Sequence, residues 1–210
     1  SLSVSTLVEL LESIPGLDVK KRGSYDANST LSLFAGSPNQ VLILVDGLEI
    51  GNNQSVLNIL NFPLSINNIE SIEITPGTHS RKYGADAYSG VINIITTDKF
   101  SSDNSFHYGD FNSLDFNLGL NLIDSHSFYY GSKASDGYVD HTSYQLNTFN
   151  YKYMINTKST STNMTFGMQT KKHGVVNQFS PTYPNQYNIN LTKFFRTDTK
   201  WSIGSFNIKS

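Results

Sequence analysis

A chain of 210 residues with a net charge of −2 and a pI near 6.2 carries no electrostatic footprint for nucleic acid or an anionic surface. It has no cysteine, which excludes disulfide frameworks, thiolate metal sites and cysteine nucleophiles. Only 15% of residues are charged, against 12 Tyr and 13 Phe. That balance suits a structure with one wet face and one apolar face, such as a transmembrane barrel or a secreted β-sandwich.

The chain opens SLSVSTLVEL, without a basic start, so it does not read as a signal peptide and looks cut from a longer precursor. Thr6-Leu7-Val8-Glu9 fits a capping box, with Leu7, Leu10, Leu11 and Ile14 on one helical face and Pro15-Gly16 as the stop. Ser24–Thr30 reads as a polar loop, as do Ser37–Asn39 and Asn52–Ser55. Val41–Val45 is a short continuous apolar run, the signature of a strand covered on both faces. Asp46-Gly47 then predicts a tight hairpin into Leu48-Glu49-Ile50. Val56–Leu60 fits one helical turn, and Ile69, Ile72 and Ile74 with Val91, Ile92, Ile94 and Ile95 mark further strands. Residues 1–98 form one small mixed α+β domain in this reading.

From Phe100 the period becomes two. Leu114, Phe116, Leu118, Leu120 and Leu122 alternate with polar residues and glycine, as do Met164, Phe166 and Met168, and Tyr187, Ile189 and Leu191. Phase breaks near Leu146–Phe149 and Ser205–Phe206 suggest bulges or misplaced strand ends. Ile123–His126, Asn156–Lys158 and Arg196–Lys200 read as short connections, Ala134–Ser143 and Lys171–Gln186 as long ones. Short turns on one rim and long loops on the other are expected of an outer-membrane barrel. Tyr129, Tyr130, Tyr151, Tyr153, Phe194, Phe195 and Trp201 fall near predicted strand ends, where interface girdles sit. No run of about 18 apolar residues exists to form a transmembrane helix. About seven strands are expected in 99–210, short of the roughly eight of the smallest membrane barrels, so the chain reads as a fragment.

The order and spacing of four elements resemble the plug domain of TonB-dependent outer-membrane receptors. They are LLESIPGLDV (Leu10–Val19), LSLFAGSPNQ (Leu31–Gln40), VLILVDGLEI (Val41–Ile50) and the closing segment from Ile69 to Thr97. The sequence departs from the family at its arginines: Phe34-Ala35 stands for the Arg-Gly of the middle element, Thr75 for the Arg of the closing element and Thr78 for its Pro, and Arg81 and Lys82 are the residues able to take over part of that role. The resemblance implies a plug over 1–98 followed by the first antiparallel strands, 99–210, of a transmembrane β-barrel of about 22 strands. It implies a Gram-negative outer-membrane location and energising by TonB of the inner membrane, with outer-membrane lipid around the wall. Ser135–Gln145 and Gly174–Asn188, above all Phe179–Tyr187, resemble cobalamin (vitamin B12) receptors of the Bacteroidetes type. The implied function is nutrient import without covalent chemistry: a non-enzyme binding cobalamin, with a ferric siderophore or haem as the alternative cargo. A surface lipoprotein lid belongs to the same resemblance. A secreted adhesin or glycan-binding β-protein is the reading from another class.

Polar, uncharged loops suit an amide-decorated ligand. The candidate substrate contacts are Tyr25, Asn28, Ser29, Ser37, Asn39, Asn52, Asn53, Gln54, Tyr138, Tyr183 and Gln186; solvated turns explain the same residues. Asp136 and Asp140 are candidate ligands for a structural calcium ion, though two carboxylates fall short of the roughly 6–8 oxygens that ion takes. His79, His107, His126, His141 and His173 lack zinc spacing, and neither a phosphate-binding glycine motif nor a G-x-S-x-G elbow is present. No catalytic residue is expected.

Overall fold

The computed structural model describes residues 6–22, 28–34, 36–49, 62–77, 83, 87–122, 125–176, 185–203 and 206–209. The chain divides into two compact units, Ser1–Asp98 and Lys99–Ser210.

The N-terminal unit begins with helix α1 (Leu7–Glu12), whose first turn is closed by Thr6 Oγ1 accepting from the Glu9 amide at 3.1 Å. Of the expected apolar face, Leu11 is buried and Leu7 and Ile14 pack against the same core; Val8, also buried, joins it in place of Leu10. Strands β1 (Leu17–Arg22) and β2 (Asn28–Leu33) pair antiparallel. The expected loop at 24–30 is therefore shorter than its polarity suggests. Leu31 and Leu33 are fully buried and fix the register, and the same parity carries Ser29 to the buried face of β2.

A four-stranded sheet follows, built from β3 (Val41–Val45), β4 (Leu48–Glu49), β5 (Ile69–Pro76) and β6 (Gly90–Thr96) in the order β4-β3-β6-β5. All five residues of β3 are buried, as the continuous apolar run predicts. Val41, Ile43 and Val45 join Ile92 and Ile94 in a core with α1, β1 and β2, whereas Leu42 and Leu44 pack with Ala87 and Val91 on the opposite side.

The β3–β4 hairpin turns through Asp46 (φ 51°) and Gly47 (φ 84°), the left-handed pair a tight hairpin requires. Asp46 does more than turn. Its carboxylate accepts from the Thr96 amide and the Thr96 hydroxyl, each at 2.8 Å, while Asn93 Oδ1 accepts from the Gly47 amide at 2.8 Å. The hairpin is thereby latched onto β6. Asp46→Ala removes a charged acceptor with two donors and is expected to cost about 1.5–3 kcal/mol. Faster hydrogen exchange along β4 and β6 is the readout; unchanged exchange would contradict the latch.

The C-terminal unit is one antiparallel sheet in the sequential order β13-β12-β11-β10-β9-β8-β7. Its strands are β7 (Ser105–Gly109), β8 (Ser113–Leu122), β9 (His126–Ser135), β10 (Tyr144–Asn156), β11 (Thr160–Val176), β12 (Asn185–Ile203) and β13 (Phe206–Lys209). Cross-strand register decides its character. Leu120, Phe128, Tyr151, Phe166 and Phe195 form one row across five strands, apolar throughout. One residue along, on the other face, the row reads Asn121, Ser127, Lys152, Thr165 and Arg196, polar throughout. Leu120, Leu122, Tyr130 and Phe195 are exposed on the first face, the arrangement of a wall that meets hydrocarbon outside and polar groups inside.

Several expectations about this sheet are corrected. The phase break at 146–149 is not a bulge: β10 keeps unbroken register with both neighbours, and Leu146 faces inward opposite Lys133 and Lys171. The break at Ser205–Phe206 falls partly outside the described residues. Arg196–Lys200 is not a turn. These residues continue β12 opposite β11, with Arg196 and Asp198 paired at 3.1 Å along the inner face. The long connection expected over 171–186 shrinks to 177–184, because β11 runs to Val176 and β12 restarts at Asn185. Tyr129 and Phe194 are not girdle residues. Each is offset by one from an outward aromatic and so points inward; Tyr129 is buried, and the Phe194 ring occupies the space above Gly167.

Candidate functional site

Connections alternate between the two ends of the C-terminal sheet. One end carries 123–125, 157–159 and 204–205; the other carries 110–112, 136–143 and 177–184. The short-turn end bears an outward aromatic cluster, in which His126 stacks on Tyr153 at 4.6 Å and its Nδ1 lies 2.9 Å from the Tyr151 hydroxyl.

The long-loop end is more elaborate. Turn 110–112 passes through Phe111 (φ 56°) and Asn112 (φ 52°), both left-handed, and Ser113 donates its amide to the Asp110 carbonyl. Loop 136–143 is tied to that turn at several points. The Asp136 amide and the Ser135 hydroxyl both donate to the Phe111 carbonyl, at 2.9 and 3.1 Å. Asn112 donates to the Asp136 carboxylate at 2.6 Å and accepts from the Tyr108 hydroxyl at 2.9 Å. Thr142 donates its hydroxyl to the Val139 carbonyl, and the Gly174 amide donates to the Ser143 carbonyl. This pinned loop holds Tyr138 outward, 75% exposed, beside exposed Val139.

Below that rim, the inner face carries a chain of polar contacts. Lys133 Nζ lies 2.8 Å from Asp115 Oδ2, and Asn117 bridges Asp115, Ser105 and the Tyr129 hydroxyl. Gln169 donates to Thr148, while His173 and Asn150 are buried farther along the same face. Sequence reading placed polar residues inward but singled out none of these. The signal available was their parity opposite the outward Leu row.

The predicted site residues fall into four groups. Tyr25, Asn52, Asn53, Gln54 and Tyr183 lie outside the described residues. Asn28 and Ser29 belong to β2, with Ser29 buried; Gln186 faces inward on β12 opposite Val175. Ser37 and Asn39 are exposed around a 3-10 turn (Pro38–Gln40), in which the Ser37 amide donates to Gln40 Oε1. Tyr138, Asp136 and Asp140 share loop 136–143. Among the described residues, no three His, Asp or Glu side chains gather into a cluster able to hold a metal ion.

The family model for the TonB-dependent receptor plug domain matches residues 1–91. The N-terminal unit is a TonB-dependent receptor plug domain. The chain is 35% identical over 100 residues to the vitamin B12 transporter BtuB of Vibrio vulnificus strain CMCP6, covering 48% of this chain and 16% of that protein. The BtuB of strain YJ016 is 33% identical over 144 residues, 65% of this chain and 23% of that protein. That match is longer than the plug unit and so runs into the sheet beyond it. Among solved structures, the ferric yersiniabactin uptake receptor FyuA of Yersinia pestis gives a TM-score of 0.71 at 19% identity, over 99% of this chain and 37% of that one. At that identity the likeness shows fold alone. The N-terminal unit thus matches the plug family, the strands after it share the fold of the solved receptors, and the chain spans under a quarter of the BtuB sequences it matches.

Proposed function

We propose that this chain is part of an outer-membrane receptor that binds cobalamin at the cell surface and imports it to the periplasm. The observation that carries the reading is the BtuB match of 144 residues, which is longer than the plug unit and so takes in strands of the C-terminal sheet. The candidate ligand contacts of the C-terminal unit are Tyr138, Tyr183 and Gln186; those of the N-terminal unit, taken by itself, are Tyr25, Asn28, Ser29, Ser37, Asn39, Asn52, Asn53 and Gln54. TonB supplies the energy from the inner membrane, and a surface lipoprotein serves as lid. Transport needs no covalent step; it needs a plug that holds ligand less tightly when pulled than at rest.

The test is a cyanocobalamin titration of the full-length receptor in detergent, beside a ferric siderophore control. Saturable cobalamin binding supports the reading. Binding of the ferric chelate alone would replace it with the second reading, which the fold shared with ferric-siderophore receptors favours. Tyr138→Ala is expected to weaken cobalamin binding about tenfold, since exposed aromatics on a pinned loop make strong anchors; an unchanged affinity would remove Tyr138 from the site. Asp136 and Asp140 supply carboxylates for a loop-ordering calcium ion in this reading. Affinity that rises with calcium, and no longer does in Asp140→Asn, supports that role; calcium-independent binding removes it.

A further inference from the structure

Between the plug sheet and β7 the chain does not simply cross over. β6 ends at Thr96, and the Thr97 amide donates to the Asn68 carbonyl, so the plug side is held up to Thr97. Three residues on, Phe100 is buried at 3% exposure against the inner face of the C-terminal sheet. Its ring meets Tyr129 of β9 at 6.2 Å between centroids, tilted by 59°, and the Lys152 ammonium of β10 lies 5.2 Å from the ring centre. Its carbonyl accepts from Asn121 Nδ2 of β8 at 2.9 Å, and the same amide group donates to the Ser102 hydroxyl at 3.0 Å. Asn104 Oδ1 then accepts from the Gly119 amide at 2.8 Å. Gly119 has no spare room: a Cβ there would collide with the Ser101 carbonyl. Residues 100–104 therefore lie flat across β8, fastened at both ends, with three strands contributing to the Phe100 socket.

We propose that residues 100–104 are a strap that fixes the C-terminal end of the plug to the barrel wall, so that force drawn on the plug from its N-terminal side stops at Phe100. The geometry suits that task. Hydrogen bonds at Phe100, Ser102 and Asn104 act together along one short segment, and the aromatic–cation stack is desolvated, where such contacts are strongest. A glycine in β8 is what permits the close approach of the two backbones. The plug can lose its internal structure under load while the first barrel hairpin keeps its register. The proposal rests on the receptor reading above, but its mechanics need neither TonB nor ligand, so the failure of one is distinguishable from failure of the other.

The test is single-molecule pulling on the full-length receptor in a bilayer, from a handle on the N-terminal side of the plug. After plug extension, the trace should show a separate rupture that releases the five strap residues, about 17 Å of contour. Phe100→Ala and Lys152→Met should lower or abolish that rupture and leave the earlier plug events in place. Because either variant can impair assembly, Ser102→Cys with Asn121→Cys provides a second arm: oxidised, it should restore the stop in the Phe100→Ala background, and reduced, it should not. A rupture that is absent in the parent receptor, or one unmoved by Phe100→Ala, would overturn the proposal.

Discussion

Leu120→Arg is expected to impair assembly of the wall, at a cost of about 1–2 kcal/mol for a cation on the lipid face two residues from the short-turn end of β8, short of the larger cost at the middle of the bilayer. Leu120 stands in the row with Phe128, Tyr151, Phe166 and Phe195, and its strand neighbours on the same face are Leu118 and Leu122. No water or carboxylate reaches that row if it faces hydrocarbon, so the arginine must drag headgroups or water inward. Leu120→Phe keeps the face apolar and should assemble normally. The readout is the heat-modifiable gel shift of the folded full-length receptor in bilayers. Equal folding of Leu120→Arg and Leu120→Phe would mean that the Leu row faces water, the outcome a secreted β-protein requires.

The second large effect lies on the opposite face. Lys133 and Asp115 pair at 2.8 Å with side chains only 16% and 22% exposed, and Asn117 already donates to the same carboxylate. Lys133→Met leaves Asp115 short of its cation in a largely dry place, and the expected loss is about 3 kcal/mol. Asp115→Asn added to Lys133→Met should recover most of it, because the stranded charge rather than the lost attraction dominates. Urea unfolding of the four proteins of the cycle checks this. Additive losses would show that the pair is too hydrated to matter.

Much of this architecture is legible in the residues. Val41–Val45 announces a strand buried on both faces because five successive apolar residues leave no wet side, and Asp46-Gly47 announces the left-handed turn. What the sequence hides is the latch from Asp46 to Thr96, since the two are fifty positions apart and meet only through the parallel pairing of β3 with β6. Ser24–Thr30 misleads because Ser29 looks like loop chemistry, yet its parity with Leu31 and Leu33 buries it. Arg196–Lys200 misleads for a related reason: charges and threonines resemble a turn until Arg196 and Asp198 are seen to share the inner face, with Thr197 and Thr199 outside. The aromatics near strand ends show the same limit, for Tyr129 and Tyr130 are neighbours on opposite faces. Composition alone gives the number of such residues but not their side. For the candidate site, the loop 136–143 is visible as polar sequence, while its anchoring to Phe111 and Asn112 appears only once β8 and β9 are paired.

The strap shows how function can sit in residues with no motif. Phe100, Ser102 and Asn104 are unremarkable in sequence, and Gly119 reads as one more small inward residue of an alternating strand. Only the approach of the Ser101 carbonyl to Gly119 gives that glycine a reason.

The proposed TonB-driven import of cobalamin is tested by uptake of labelled cyanocobalamin into Gram-negative cells whose only cobalamin receptor is the full-length parent of this chain, with and without TonB. Accumulation is expected to require both the receptor and TonB and to be competed by unlabelled cobalamin. Accumulation that persists without TonB, or no cobalamin uptake from a receptor that is folded in the outer membrane, would contradict it.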